Sequence, residues 1–180
     1  MKHSNTWFLT TTGRQFWPAS PDPEQIQIED IAHALSNLCR FGGHTREFYS
    51  VAQHSVLVSQ NVPDDLRLVG LMHDATEAYC GDMIRPLKNV LPEFKELENG
   101  IWKAIAKRFG LPDEIPPEVK EADDVLLMTE RRDLMPVHPA PWGLDHAKPL
   151  EGIITPWPPL NAEGLFLCHF NFLTHTAKLA

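Results

Sequence analysis

The segment Leu66–Lys88, LRLVGLMHDATEAYCGDMIRPLK, carries an imidazole and carboxylates at the end of an apolar helical face. Spacings of three and four place Leu66, Val69, Gly70, His73 and Glu77 on that face. A buried face does not keep such polar groups unless something binds them. We interpret His73 and the adjacent Asp74 as two ligands of a metal site. Gly81 and Asp82 then close the helix and add a carboxylate.

The composition predicts a single globular domain spanning residues 1–180 and argues against polyanionic partners. The chain has 43% hydrophobic residues and a formal net charge of −8, so we expect neither a nucleic-acid polymer nor a membrane among its partners. A small basic pocket for a phosphate remains compatible with this charge. Cys39, Cys80 and Cys168 form no CxxC motif, and the N-terminal segment has no long apolar run. A cytoplasmic protein is therefore expected.

Hydrophobic periodicity predicts an all-α fold with a possible small β-hairpin near the N-terminus. The hairpin is expected within residues 5–17, and a long irregular segment, anchored by Trp142, Leu144 and Trp157, within residues 136–160. Helices are predicted over residues 28–39 and 51–61, from Pro92 to Gly110, from Pro116 onward, and over residues 164–179.

Two further side chains are candidates for the same metal site. His54 lies on the predicted helix 51–61, an antiparallel neighbour of the next helix, and so could face His73. A single histidine on an apolar face is more often a hydrogen-bonded core residue, so His54 gains weight only from its neighbours. Asp123 and Asp124 interrupt an apolar helical face, and periodicity does not decide which of them points inward. Nitrogen and oxygen ligands suit a divalent Co, Mn, Zn, Fe or Mg ion.

The order of these motifs resembles that of the HD-domain metal-dependent phosphohydrolases, in particular bacterial 5′-deoxynucleotidases and phage deoxynucleoside-triphosphatases. The matching segments, between about residues 28 and 133, are R-F at 40–41, S-V-A-Q-H-S at 50–55, H-D-A-T-E-A at 73–78, G-D-M-I-R-P-L-K at 81–88 and K-E-A-D at 120–123. A bare His-Asp pair is a weak motif, whereas this ordered set is specific. The resemblance implies an all-α HD-domain fold.

The resemblance also implies a role for each matching residue. Glu77 and Asp82 would position and deprotonate the attacking water. Arg40 would bind a phosphate, with Lys88 and Arg85 near further phosphates. The implied metal ligands are His54, His73, Asp74 and Asp123. Phe41 stands where the deoxynucleotidases carry a tryptophan that crowds the ribose 2′-hydroxyl, which leaves the sugar preference open.

The function that the resemblance implies is hydrolysis of (deoxy)nucleoside 5′-phosphates by a metal-activated water. Monophosphate and triphosphate substrates remain alternatives, as do a cyclic-nucleotide or alarmone hydrolase and a non-catalytic nucleotide-binding regulatory module. The presence of both Glu77 and Asp82 favours an enzyme over such a module. A homo-oligomer is expected.

Overall fold

The structure, a computed structural model, describes residues 6–144 and 146–176 and confirms a mostly helical fold with a small hairpin. The described residues form eight α-helices and two short strands. The strands are β1 (Phe8–Leu9) and β2 (Gln15–Phe16), and the helices are α1 (Ile28–Asn37), α2 (Val51–Gln60), α3 (Arg67–Met72), α4 (Glu77–Cys80), α5 (Arg85–Lys88), α6 (Pro92–Phe109), α7 (Pro117–Leu134) and α8 (Pro159–Thr176).

The antiparallel hairpin closes one side of the core. Phe8 pairs with Phe16, and Phe16 is fully buried against Tyr79, with their ring centroids 4.1 Å apart. The loop between the strands is held by Asp30 on α1, whose carboxylate accepts hydrogen bonds from the backbone and hydroxyl of Thr12 at 2.7 and 2.8 Å. The predicted hairpin is confirmed within residues 6–17, and residue 5 lies outside the described part of the chain.

Helix α2 is the central helix, in contact with α1, α3, α7 and α8. The main hydrophobic core lies between helices α1, α2, α6 and α8. A second, smaller cluster joins α2, α3 and α7 and consists of Val58, Val69, Val119, Ala122 and Leu126. The metal-site candidates lie on α2 and α7 and in the turn directly after α3, so the smaller cluster helps to set their spacing.

Structure and prediction differ within residues 66–81. We expected one helical face from Leu66 to Glu77, but α3 ends at Met72 and α4 begins at Glu77. Between them the amides of Ala75 and Glu77 donate to the carbonyls three residues earlier, at 2.9 and 3.0 Å. Such tighter turns are common at helix ends and at functional sites. His73 and Asp74 lie in this turn.

The segment between α7 and α8 is irregular where described, as predicted, and is pinned to the body of the protein. The side chain of Gln53 donates to Thr155 O at 2.8 Å, and its oxygen accepts from Trp157 N at 2.7 Å. Ser50 caps α2 as predicted, by accepting from the amide of Gln53. Gln53 itself does not complete the predicted capping box, because its amide group binds this segment instead.

Helix α8 begins earlier than predicted, at Pro159, and residues 177–179 of the predicted helix lie outside the described part of the chain. Among the described residues, no helix has the length and apolar character needed to cross a membrane.

Candidate metal centre

Three helices bring two imidazoles and a carboxylate together. His54 lies in the middle of α2, His73 follows the last residue of α3, and Asp123 lies on the second turn of α7. Each offers one ligand atom, and these atoms lie within 4.8 Å of one another. His54 Nε2 is 3.3 Å from His73 Nε2 and 3.1 Å from Asp123 Oδ1. This cluster can hold a metal ion.

The second nitrogen of each imidazole is fixed by an acceptor. His54 Nδ1 lies 2.6 Å from the carboxylate of Glu130, and His73 Nδ1 lies 2.8 Å from the carbonyl oxygen of Gly70. Neither the carbonyl nor an ionised carboxylate can donate, so both Nδ1 atoms carry the proton. Both Nε2 atoms therefore point toward the cluster, which is the arrangement that metal-binding histidines use.

The fourth predicted ligand, Asp74, lies beside the cluster. Its Oδ2 atom is 3.3 Å from His73 Nε2 and 3.6 Å from His54 Nε2, and it also accepts a hydrogen bond from Arg40 Nη1 at 3.3 Å. Burial raises the pKa of Asp74, but His73, then His54 and Arg40, outweigh burial and hold the pKa well below its usual range. The carboxylate is therefore ionised beside both imidazoles.

In the absence of metal, a proton takes the position between His54 and Asp123. Burial and the Arg40 charge lower the pKa of His54, but Glu130 and the hydrogen bond with Asp123 raise it to about 9. Asp123 is the complementary case, because its contact with His54 outweighs burial and lowers its pKa to about 2. At neutral pH the charged imidazole donates its Nε2–H to Asp123.

Glu130 is a site residue that the sequence did not reveal. It is fully buried and accepts hydrogen bonds from His54, from Tyr49 OH at 2.9 Å and from Arg40 Nε at 3.2 Å. Its ion pair with Arg40 also brings Nη2 to 3.1 Å. Glu130 lies seven residues after Asp123 and hence on the same face of α7. That spacing, on a face that otherwise carries Val119, Ala122 and Leu126, was the available signal.

Arg40, predicted to bind phosphate, is almost entirely buried. Burial lowers its pKa, but Glu130, Asp74 and Asp123 outweigh burial and raise it, so the guanidinium stays charged. Its side chain lines the main cavity of the site as well as contacting the carboxylates. Arg40 thus offers positive charge at the boundary between the metal cluster and the cavity.

Glu77, predicted to act as the base, is buried rather than on a helix surface. Its Oε1 atom accepts from Lys88 Nζ at 3.2 Å, and its buried Oε2 atom has no hydrogen-bond partner. Burial, with Asp74 and Asp82 nearby, raises the pKa of Glu77. Lys88 also donates to Glu98 at 2.7 Å, so the predicted phosphate contact is tied to two carboxylates.

The two adjacent aspartates of α7 point to different neighbours. Asp123 faces His54, whereas Asp124 binds Arg85 Nη1 at 3.2 Å and His146 at 3.3 Å. Arg85 Nη2 also reaches Asp123 Oδ2 at 3.4 Å from an exposed position. The structure therefore selects Asp123, as the resemblance implies.

A cavity of about 720 Å³ adjoins the cluster, and every predicted site residue other than His54 and His73 lines it. Asp74, Glu77, Asp82, Asp123, Arg40, Arg85 and Lys88 line one part, and Phe41, Met83, Ile84, Leu127, Trp142 and Leu144 are among its apolar lining. Burial raises the pKa of Asp82. This volume lies in the range of small-molecule sites. A second cavity, of about 520 Å³, shares His73 and Asp74 with the cluster.

Comparison with known proteins identifies relatives, one of them along nearly the whole chain. No protein-family model matches. The uncharacterized protein YfdR of Escherichia coli (strain K12) is 44% identical over 185 residues, which cover 97% of this chain and 99% of that protein. An uncharacterized protein of Rhodobacter capsulatus is 38% identical over 126 residues, 64% of each chain. The extent and identity of the first match show that this chain belongs to the same family as YfdR.

Proposed function

We propose that this protein is a metal-dependent phosphohydrolase that acts on nucleoside 5′-phosphates. The observation that carries the proposal is the arrangement of the two imidazoles. Their Nδ1 atoms are held by Glu130 and Gly70, and their Nε2 atoms lie close to Asp123, which lines the cavity. Two nitrogens and a carboxylate oxygen, on one buried and two half-buried residues and with both imidazoles oriented in advance, fit a divalent transition metal or Mg²⁺. The resemblance to HD-domain phosphohydrolases supports the same reading.

His54, His73 and Asp123 would hold the cation, with Asp74 beside them as the fourth ligand. A bound divalent cation would polarise a phosphoryl oxygen and make water a stronger acid. In the reaction, the water oxygen forms a bond to phosphorus, the phosphorus–oxygen bond of the ester or anhydride breaks, and the leaving oxygen takes up a proton.

The remaining cavity residues would either transfer a proton or supply positive charge near the phosphate. Glu77, whose pKa is raised by burial, would accept the proton of the attacking water, and Asp82 would orient that water. Arg40 and Arg85 offer positive charge on either side of Asp123. The apolar side of the cavity is suited to the nucleoside part of the substrate.

The test combines metal analysis with a substrate screen. Protein stripped of metal and reloaded separately with Co, Mn, Zn, Fe or Mg would be assayed against nucleoside mono-, di- and triphosphates, cyclic nucleotides and alarmones. Hydrolysis of a 5′-nucleotide by the loaded protein is expected. If no phosphate ester or anhydride is cleaved with any metal, the proposal is wrong.

Adjacent residues provide a matched pair of variants. Asp123→Asn should lose metal and activity, because Asp123 is a ligand, whereas Asp124→Asn should retain both, because Asp124 pairs only with partly exposed groups. Equal effects of the two substitutions would contradict the ligand assignment.

A second candidate, a non-catalytic nucleotide-binding module, is favoured by one observation. Lys88 neutralises Glu77, which is the group that would have to act as a base. Equilibrium dialysis with nucleotides, run beside the activity screen, separates the two functions. Nucleotide binding without turnover in the metal-loaded protein would support the module.

The expected homo-oligomer is likewise a proposal. Light scattering on purified protein gives the number of subunits, and a monomer at working concentration would overturn it.

A further inference from the structure

The apolar part of the main cavity contains a tryptophan from the segment between α7 and α8, outside the region that carries the resemblance. Trp142 and Phe41 both line the cavity, with ring centroids 6.0 Å apart and ring planes tilted by 46°. Phe41 follows Arg40, which contacts Asp74. The aromatic pair therefore adjoins an arginine that is in contact with a carboxylate beside the metal cluster.

Several contacts fix the position of Trp142. The guanidinium of Arg131 lies over its indole ring, 4.9 Å from the centroid, and Arg131 Nη2 also donates to the carbonyls of His138 and Ala140 at 3.0 and 2.8 Å. Arg131 thereby holds both the ring and the chain that precedes it. Gly143, with a φ of 72°, allows the sharp turn directly after the ring.

The partner ring is held in an unusual backbone conformation. Phe41 has a φ of 57° and is the one non-glycine residue with positive φ in the described parts of the chain. A bulky residue rarely adopts this region, and such strain is concentrated at ligand-binding positions. The strain at Phe41 is therefore a second observation, independent of Trp142, that points to this wall of the cavity.

We infer that Trp142 is a substrate-binding residue that stacks against the base of the nucleotide and so distinguishes ligands that carry a base from those that do not. One face of the indole is covered by Arg131, and 38% of the residue remains exposed although it lines a cavity. A residue that served only to anchor the segment would be buried, as Leu144 is at 9%. An aromatic wall binds planar rings with little regard to their hydrogen-bonding groups.

This inference rests on the proposed function, and binding to uncleavable ligands tests it separately from turnover. The probes are the 5′-phosphonates of the four deoxynucleosides, in which a P–C bond replaces the ester bond, and the corresponding phosphonate of 2-deoxyribose without a base. Calorimetric titration of the Co²⁺-loaded protein gives the ratio of affinities with and without the base.

Trp142→Ala should weaken binding of the base-bearing probes by about 5- to 150-fold, the range for loss of one base–aromatic stack. Trp142→Phe should keep most of the affinity, because a flat ring remains. The matched control is Trp7→Ala, since Trp7 has nearly the same exposure, 37%, but packs on Trp17 in the hairpin region. This control should bind every probe as the unaltered protein does.

Equal binding of the base-bearing probes by Trp142→Ala and Trp7→Ala would overturn the inference, as would an unaltered protein that binds all probes equally or none. Hydrolysis of nucleotides together with unchanged binding by Trp142→Ala would contradict this inference alone. Base-dependent binding that Trp142→Ala loses, without hydrolysis of any nucleotide, would support it while contradicting the proposed function.

Discussion

Glu130 is the residue on which two functional side chains depend. One carboxylate accepts from His54, Tyr49 and Arg40, with no exposure to solvent. Burial raises its pKa, but Arg40 and then His54 outweigh burial and lower it, so the carboxylate is ionised. Its negative charge both fixes the tautomer of His54 and keeps Arg40 charged inside the protein.

Replacing the Glu130 carboxylate by an amide should lower the affinity for metal, although Glu130 is not itself a ligand. We expect Glu130→Gln to reduce metal affinity by about 10- to 100-fold, the usual effect of losing a partner of a ligating histidine. Calorimetric titration of folded variant protein with Co²⁺ measures the change. Glu118→Gln, an exposed glutamate on the same helix, is the control and should bind as before. Unaltered affinity in Glu130→Gln would remove Glu130 from the site.

Substitution of Glu77 tests whether this residue transfers a proton in the reaction or has only a structural role. Glu77→Gln can still accept a hydrogen bond from Lys88, but it cannot accept a proton from water. We expect retained metal and nucleotide binding with a loss of turnover of roughly 10²–10⁴-fold, the typical contribution of a general base. Single-turnover kinetics and metal analysis on the same sample give the answer. Loss of metal would make Glu77 a ligand, and unchanged turnover would exclude it as the base.

At the scale of elements, the close approach of α2 and α3 sets the distance between the two imidazoles. A Cβ atom at Gly70 would lie 3.1 Å from a Val62 methyl group and 3.2 Å from the Ser59 backbone. The carbonyl of Gly70 also holds His73 Nδ1. One glycine therefore serves both the packing of the helices and the orientation of a ligand.

Gly70→Ala should push α2 and α3 apart. We expect a loss of unfolding free energy of about 1–3 kcal/mol, as for other overpacked positions, together with weaker metal binding. Gly100→Ala on α6 is the control, because no atom lies within 4 Å of its added Cβ, and it should stabilise by up to about 1 kcal/mol. Urea denaturation measures both values, and an unaffected Gly70→Ala variant would contradict the packing argument.

The sequence predicted elements better than the connections between them. Helical periodicity and capping signals located α1, α2, α6 and α7 to within about two residues, because each buries one continuous apolar stripe. The break at residues 73–76 carried no such signal, since the tightened turn keeps apolar residues inward on both sides. The segment around Trp142 has no period at all, and its position depends on Arg131.

Candidate site residues were predictable where a motif carried them. His54, His73 and Asp123 come from separate segments. The expected antiparallel pairing of two helices joined His54 with His73, and the resemblance favoured Asp123 over Asp124, before the structure brought all three together. Glu130 was missed because a glutamate on a helix is usually solvated, and its place on the apolar face of α7 was the one local signal that it is buried. Long-range pairing with Arg40, ninety residues away in the chain, decides its environment.

For the whole molecule, His54 couples folding to pH. Its pKa in the metal-free folded protein, about 9, lies above the ordinary value of 6.5. The contribution of protonated His54 to the free energy of unfolding is therefore fully present below pH 6.5 and is lost as the pH rises through 9. We expect the free energy of unfolding of metal-free protein to fall by up to about 3 kcal/mol over this interval.

A metal ion that binds His54 must displace the proton from Nε2 of that residue. Metal affinity should accordingly rise about tenfold per pH unit between 6.5 and 8.5, with about one proton released per ion. Calorimetry in buffers of different ionisation enthalpy counts that proton. His33→Gln, which alters an exposed histidine, should leave both profiles unchanged. A metal affinity independent of pH in this interval would contradict the account of His54.

The small hydrophobic cluster between α2, α3 and α7 has a consequence for the lifetime of the bound ion. In this cluster three side chains of α7 pack against Val58 and Val69, while the main core is formed by other elements. An ion shared by His54, His73 and Asp123 would act as a cross-link between α7 and the other two helices. Opening of α7 would withdraw the Asp123 ligand and shorten the time for which the ion stays bound, so we expect bound metal to slow amide hydrogen exchange in α7.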